Sequence, residues 1–175
     1  MERIGHYIGG KHVPGESGRR GPVYDPATGE QTHEVDFADA AELHLAVEAA
    51  KEALPAWRAT SLSKRAEIMF RIRELLEARK TDVATVLTSQ HGKVLSDAMG
   101  EVQRGLENLE YATGIPNLLK GGFSEQVSTG VDVYSIRQPL GVAAGITPFN
   151  FPAMVPLWMC ANAIACGNAF VLKPS

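Results

Sequence analysis

The chain has 175 residues, of which 45% are apolar, and a formal net charge of −3. This length suffices for one sizeable core, and the small negative charge offers no broad basic surface for nucleic acid. Only two cysteines are present, and the N-terminus has neither an apolar signal core nor an Arg- and Ser-rich presequence, so the sequence predicts a globular protein of a reducing compartment, by default the cytoplasm.

The N-terminal residues predict turns and short strands. Residues 7–13 predict a hairpin, because the central Gly9-Gly10 pair suits a type I′ turn. Residues 25–30 predict a second turn. This part of the chain is interpreted as scaffold.

Four helices are predicted next. Asp39 followed by Glu42 resembles a capping box and predicts a helix over residues 40–53, which Pro55 is expected to end. Ser61 is expected to cap a second helix. Its predicted core stripe comprises Ile68, Ile72, Leu75 and Leu76, and its predicted solvated face comprises Lys64, Arg65, Arg71, Arg73 and Glu74. A third helix is predicted from Thr81 to a stop at Gly92, and a fourth over residues 96–112.

Two stretches after the helices predict strands of different kinds. Residues 131–137 alternate with a period of two, as a strand with one polar face does. Residues 138–172 contain no charged residue, but the prolines at 148, 152 and 156 argue against a membrane helix. This uncharged run instead predicts a buried strand over 140–146, a buried helix over 153–166 and, with Lys173, a second buried strand over 169–173.

Helix start and stop signals within the uncharged run support this division. Pro152 suits the first turn of a helix, and Gly167 suits a left-handed stop. A strand–helix–strand unit with a right-handed crossover gives a parallel sheet, and such sheets bind ligands beyond the carboxyl ends of their strands. Residues 147–150 are predicted to lie at such an end.

Residues 146–152, with the sequence ITPFNFP, and residues 172–175, with the sequence LKPS, resemble the cofactor segment of the NAD(P)-dependent aldehyde dehydrogenase superfamily. The resemblance covers nearly the whole chain. Residues 101–105, 132–141 and 152–159 are most similar to the CoA-acylating methylmalonate-semialdehyde dehydrogenase branch. The resemblance implies an α/β fold with a Rossmann-like parallel sheet, preceding helices and an oligomerisation strand.

The resemblance also implies boundaries for these parts. Residues 1–123 would form the N-terminal hairpin and the helical part of the NAD-binding domain. Residues 124–137 would begin the oligomerisation strand region, and residues 138–175 would form the first strand–helix–strand unit of the NAD-binding sheet. A homodimer or homotetramer is implied for the complete enzyme.

In this family a cysteine thiolate attacks the aldehyde, hydride passes to NAD, and a thioester remains for CoA, with loss of carbon dioxide in this branch. Asn150 matches the asparagine of the family's oxyanion hole, where its amide would donate to the developing alkoxide. From spacing alone, a helix N-cap is an equally good interpretation of Asn150.

The resemblance assigns the NAD contacts to Ile146, Thr147, Pro148, Phe149 and Lys173. Spacing alone favours a tight turn that buries an aromatic and a lysine that reaches solvent. The chain has no G-x-G-x-x-G fingerprint, and the family's cofactor mode does not need one.

Arg104 is expected to bind the carboxylate of malonate or methylmalonate semialdehyde, because the matching arginine does so in this branch. From its helical position alone it would be a surface arginine. Cys160 and Cys166 are interpreted as packing residues, since no base or cation nearby in sequence would activate them. No metal site is predicted, because the five histidines have no ligand spacing.

The family's nucleophile and catalytic domain would follow Ser175. The resemblance therefore implies a fragment, a truncated frame or one part of a split enzyme, inactive alone. Two alternatives stay open: another aldehyde dehydrogenase that forms a free acid, and a non-catalytic module for nucleotide binding or oligomerisation.

Overall fold

The computed structural model describes residues 2–175, in which nine strands and six helices follow one another. The strands are β1 (Glu2–Ile4), β2 (His6–Ile8), β3 (Lys11–Val13), β4 (Arg20–Tyr24), β5 (Gln31–Asp36), β6 (Phe123–Ser128), β7 (Val131–Tyr134), β8 (Val142–Ile146) and β9 (Ala169–Lys173). The helices are α1 (Ala40–Ala59), α2 (Leu62–Ala78), α3 (Lys80–His91), α4 (Leu95–Thr113), α5 (Ile115–Leu118) and α6 (Met154–Ala165).

The N-terminal region combines a hairpin with a small sheet. Strands β2 and β3 pair antiparallel around Gly9 and Gly10, whose φ angles of 58° and 79° confirm the predicted type I′ turn. Strand β5 lies between β1, to which it is parallel, and β4, to which it is antiparallel. This three-stranded sheet was not predicted, because its strands are short and their sequences do not alternate between apolar and polar residues.

Helix α1 begins at the predicted capping box. The Asp39 carboxylate accepts a hydrogen bond from the Glu42 amide, and the Glu42 carboxylate accepts one from the Asp39 amide, each at 2.9 Å. The prediction that Pro55 ends this helix was wrong, because the helix continues to Ala59. Its last turn is stabilised by a contact with α6, in which the Trp57 indole donates a hydrogen bond to the Ile164 carbonyl at 2.9 Å.

Helix α2 has the predicted Ser61 cap but a different buried face. Arg65, Ala66 and Met69 are buried, whereas Ile72 and Leu75 of the predicted stripe are exposed. Placing Arg65 on the solvated face was therefore wrong. Its guanidinium donates to two backbone carbonyls, Ala165 at 2.7 Å and Thr60 at 3.2 Å, and these bonds compensate for its burial.

Helix α4 lies at the centre of the core and agrees with the prediction to within a residue at each end. One cluster joins α2, α4 and α6, and a second joins α3 and α4. The α4–α6 contact is close at Gly105, where an added Cβ would lie 2.4 Å from Leu157 Cδ1. A glycine at this position lets the two helices approach.

The predicted parallel strand pair is confirmed. Strands β8 and β9 run parallel, α6 connects them, and Gly167 ends the helix with a φ of 96°. Full burial of the two strands, predicted over 140–146 and 169–173, was wrong. Strand β8 begins at Val142 and its Ile146 is 76% exposed, and β9 is half-buried with Leu172 and Lys173 exposed. The reason is that this sheet has only two strands in the described part of the chain, so its outer edges and part of its surface are uncovered.

Strands β6 and β7 form a wholly exposed antiparallel hairpin. Strand β7 falls within the predicted strand, which ends three residues earlier than expected, and β6 was missed because its FSEQVS sequence lacks strict alternation. Across residues 2–175, no helix is long and apolar enough to cross a membrane.

Candidate active site

The carboxyl ends of β8 and β9 lie side by side. Ile146 pairs in register with Lys173, and the Thr147 amide donates to the Lys173 carbonyl at 3.2 Å. Residues that are 26 or 27 positions apart in sequence therefore meet at one edge of the sheet. The side chains of Ile146 and Lys173 are exposed there, so a ligand can reach them.

The loop after β8 adds an aromatic wall. The Phe149 ring is 56% exposed, and its centroid lies 4.9 Å from that of the His91 imidazole, at an interplanar angle of 35°. Thr147 is buried, and its hydroxyl has no hydrogen-bond partner within residues 2–175. A buried hydroxyl without a partner is uncommon, and a ligand group bound at this edge could satisfy it.

Asn150 is exposed at the end of this loop, and its carboxamide forms no hydrogen bond with the described residues. The structure excludes its alternative interpretation as a helix cap. The residue at the N-cap of α6 is Ala153, and no side chain within the loop caps the helix. The amide of Asn150 is thus free to donate to a bound molecule.

The first amides of α6 are satisfied by Glu101, which is fully buried on α4. Its Oε1 accepts hydrogen bonds from the Ala153 amide at 2.8 Å and the Met154 amide at 3.1 Å, while Oε2 pairs with the Lys93 ammonium group. Burial favours the neutral acid, but the Lys93 and backbone hydrogen bonds outweigh it, so the pKa of Glu101 lies below its ordinary value. A negative charge here also complements the positive end of the α6 dipole.

Lys93 connects this carboxylate to the loop. Its Nζ donates to the Asn150 carbonyl at 3.2 Å and lies 4.9 Å from the centroid of the Phe151 ring. Only 11% of the Lys93 side chain is exposed. Sequence reasoning gave neither Lys93 nor Glu101 a role, although a glutamate on the buried stripe of α4 signals that a partner must exist.

The other end of α6 is fixed as well. The Arg65 guanidinium and the Trp57 indole donate to the carbonyls of Ala165 and Ile164. Asn168 donates to the Ala163 carbonyl at 3.0 Å and accepts from the Gly141 amide at 3.0 Å, which joins the end of α6 to the start of β8. The helix that follows Asn150 is therefore held at both ends.

Arg104 lies on the neighbouring helix α4, one turn beyond Glu101. It is exposed and forms no salt bridge among the described residues, and its carbonyl accepts from the Trp158 indole of α6 at 3.3 Å. Among residues 2–175, no hydrogen bond joins Arg104 to the loop. The guanidinium is nevertheless available to a carboxylate in solution.

Neither cysteine has the surroundings of a nucleophile. Cys160 and Cys166 are both half-buried on or just after α6, and burial raises the pKa of both thiols. The expectation that no cation neighbours them was wrong for Cys166, but the nearby Arg65 guanidinium only partly offsets the effect of burial on its pKa. A raised pKa leaves a smaller thiolate fraction at neutral pH.

Comparison with known proteins connects this arrangement to an enzyme family. A model of the aldehyde dehydrogenase family matches residues 12–175. The chain is 50% identical over 175 residues to a malonate-semialdehyde dehydrogenase of Pseudomonas aeruginosa, and 48% identical over 169 residues to a probable methylmalonate-semialdehyde/malonate-semialdehyde dehydrogenase [acylating] of Dictyostelium discoideum. These matches cover 100% and 97% of this chain.

A solved structure shows the same fold. A Sinorhizobium meliloti protein described as a "putative methylmalonate-semialdehyde dehydrogenase" complexed with NAD matches with a TM-score of 0.98 and 51% identity, over 100% of this chain and 36% of that one. The chain spans 35% of the length of the Pseudomonas relative and 32% of the Dictyostelium relative. The matched part is the N-terminal part of these enzymes.

Proposed function

Because the chain belongs to the aldehyde dehydrogenase family, we propose that it forms the cofactor-binding part of an NAD-dependent dehydrogenase for malonate or methylmalonate semialdehyde. The observation that carries this proposal is the parallel β8–β9 pair, whose carboxyl edge presents the loop that ends at Asn150. Relatives named for these two substrates support the choice of aldehyde.

The residues at this edge suit NAD. Exposed Ile146, Pro148 and Phe149 offer an apolar surface for the nicotinamide end, and the exposed ammonium group of Lys173 suits ribose hydroxyls. The partnerless hydroxyl of Thr147 is a further polar group at the same edge. Bound NAD supplies the hydride acceptor.

Asn150 stabilises the oxygen of the reacting aldehyde in this proposal. Its carboxamide has no competing partner among the described residues, so it can donate to the negative charge that develops when a nucleophile adds to the carbonyl carbon. In other enzymes one such donor contributes roughly 3–4 kcal/mol to the transition state. The half-buried cysteines, with their raised pKa, do not fit the nucleophile. We assign that role to a cysteine outside these 175 residues.

Arg104 recognises the free carboxylate of the substrate. Its exposed, unpaired guanidinium lies on α4, the helix that also holds the start of α6 through Glu101. A planar guanidinium can form two parallel hydrogen bonds to a carboxylate. These hydrogen bonds would favour malonate semialdehyde over simple aldehydes of similar size, which have no carboxylate.

CoA accepts the acyl group in this proposal, and the substrate carboxylate leaves as carbon dioxide, so that the products are acetyl-CoA or propionyl-CoA. The word "acylating" in the name of the Dictyostelium relative supports the use of CoA. The exposed β6–β7 hairpin presents Phe123, Val131 and Tyr134 to solvent, and we assign it to a contact between copies of the enzyme.

The test is to assay the full-length gene product that carries residues 1–175 with malonate semialdehyde and NAD, with and without CoA. We expect NADH and acetyl-CoA to form in equal amounts when CoA is present. Absence of NADH with any aldehyde would refute the proposed activity. NADH formation with a free acid as the product, unchanged by CoA, would favour the alternative dehydrogenase.

A further inference from the structure

The loop that carries Asn150 has little internal support for its conformation. Asn150 is exposed, its carboxamide makes no hydrogen bond with the described residues, and the side chain at the N-cap of α6 is that of an alanine. An oxyanion donor must nevertheless be held to within roughly 0.5 Å of its working position. The position of the carboxamide must therefore be set by contacts to the loop backbone.

Two side chains outside the loop provide these contacts. Lys93 donates to the Asn150 carbonyl at 3.2 Å, and Glu101 accepts from the Ala153 and Met154 amides at 2.8 and 3.1 Å. Lys93 and Glu101 also pair with each other, so the two ends of this short segment are connected through one buried ion pair.

The ion pair is itself fixed by packing. Lys93 lies just beyond the end of α3, and Glu101 lies on α4, whose contact with α3 forms an apolar cluster that also includes the partly buried Ala153. Only 11% of the Lys93 side chain is exposed and its charge is neutralised by Glu101, so it is poorly placed to bind a free anion.

We propose that Lys93 is a positioning residue, which holds the backbone of Asn150 so that its carboxamide points at the reacting oxygen. The inference rests on the proposed function, since it requires Asn150 to be the oxyanion donor. Without the Lys93 contact the Asn150 carbonyl loses its hydrogen bond, and this residue is restrained only through its neighbours in the loop. A misplacement of about 1 Å can slow a reaction about 100-fold, so we expect roughly a 10- to 100-fold loss of rate.

The experiment uses the full-length gene product and the rate of NADH formation in the first turnover. The Lys93→Met and Glu101→Gln substitutions are combined, because the glutamine still accepts from the α6 amides and no buried charge is left alone. The matched control is Lys80→Met. Lys80 also connects α3 to α4, through a hydrogen bond to Gln103, but forms no hydrogen bond with the loop among the described residues.

A double-mutant comparison shows whether the effect passes through Asn150. We expect the combined variant to be slowed 10- to 100-fold, Lys80→Met to keep the wild-type rate, and the combined variant to cause no further loss when Asn150 is already alanine. We also expect faster exchange of the Ala153 and Met154 amides, which directly follow the loop, in the combined variant.

Three results would overturn the inference: a wild-type rate in the combined variant, an equal loss in Lys80→Met, or a full additional loss in the Asn150→Ala background. Failure of the proposed function gives a different result, since Asn150→Ala would itself then keep the wild-type rate.

Discussion

Removal of the Glu101 carboxylate is predicted to loosen the start of α6 specifically. This carboxylate is 1% exposed, and it accepts two backbone hydrogen bonds and pairs with Lys93. Glu101→Ala leaves a mostly buried ammonium group and two helix amides without their acceptor. Breaking a buried ion pair by removing one partner costs about 3–5 kcal/mol.

Amide exchange in the full-length gene product measures this loss of stability at the start of α6. At about 1.4 kcal/mol for each tenfold change, the amides of Ala153 and Met154 should exchange roughly two to three and a half orders of magnitude faster in Glu101→Ala. The control is Glu107→Ala on the exposed side of the same helix, for which we expect a change within about 0.5 kcal/mol. If both variants exchanged at the same rate, the carboxylate would not be holding α6.

The Glu101 carboxylate should make the stability of the start of α6 depend on pH. Because folding lowers the pKa of Glu101, its contribution is present above the ordinary glutamate pKa of about 4.3 and is lost as pH falls through the lower folded value. The protection of the α6 amides in the wild type should therefore fall in this acidic range, and Glu101→Gln, which cannot ionise, should lack that transition. A transition of equal size in both proteins would contradict this assignment.

Three further predictions concern the substrate, the thiols and a glycine. Arg104→Leu should raise KM for malonate semialdehyde much more than KM for propanal, because only the former loses a charge-assisted pair, and equal effects on both would refute the carboxylate role. Replacement of Cys160 and Cys166 by alanine should leave the rate of first-turnover NADH formation within a few-fold of wild type. Loss of first-turnover NADH formation would make one of them the nucleophile. Gly167→Ala should destabilise the protein more than Gly130→Ala in urea unfolding. Both glycines have a positive φ, but only at position 167 would the added Cβ come close to another group, the Arg65 Nη1 atom at 2.6 Å. Equal destabilisation would show that this close approach costs nothing.

Local signals in the sequence predicted the elements on which the site is built. The capping box at Asp39, the Gly9-Gly10 turn and the stop at Gly167 each act within a few residues, so their outcome does not depend on the rest of the fold. The uncharged run predicted the parallel strand pair because its glycines and prolines divide it into pieces of different length and period.

Contacts between distant elements decided the features that were not predicted. Arg65 can be buried because its guanidinium donates to the Ala165 carbonyl, which lies 100 positions away in sequence. Helix α1 continues past Pro55 with support from the Ile164 carbonyl of α6. Likewise the roles of Lys93 and Glu101 depend on where α3 and α4 bring them relative to Asn150, which no local pattern encodes.

The central claim is that Asn150 is an oxyanion donor rather than a structural residue, and first-turnover NADH formation by Asn150→Ala and Asn150→Asp tests it most directly. Because the side chain is exposed and does not cap α6, both variants should keep near wild-type thermal stability. Both should lose roughly 10²- to 10³-fold in rate, since alanine removes the donor and aspartate places an anion beside the developing negative charge. An aspartate variant that forms NADH at the wild-type rate would contradict the account.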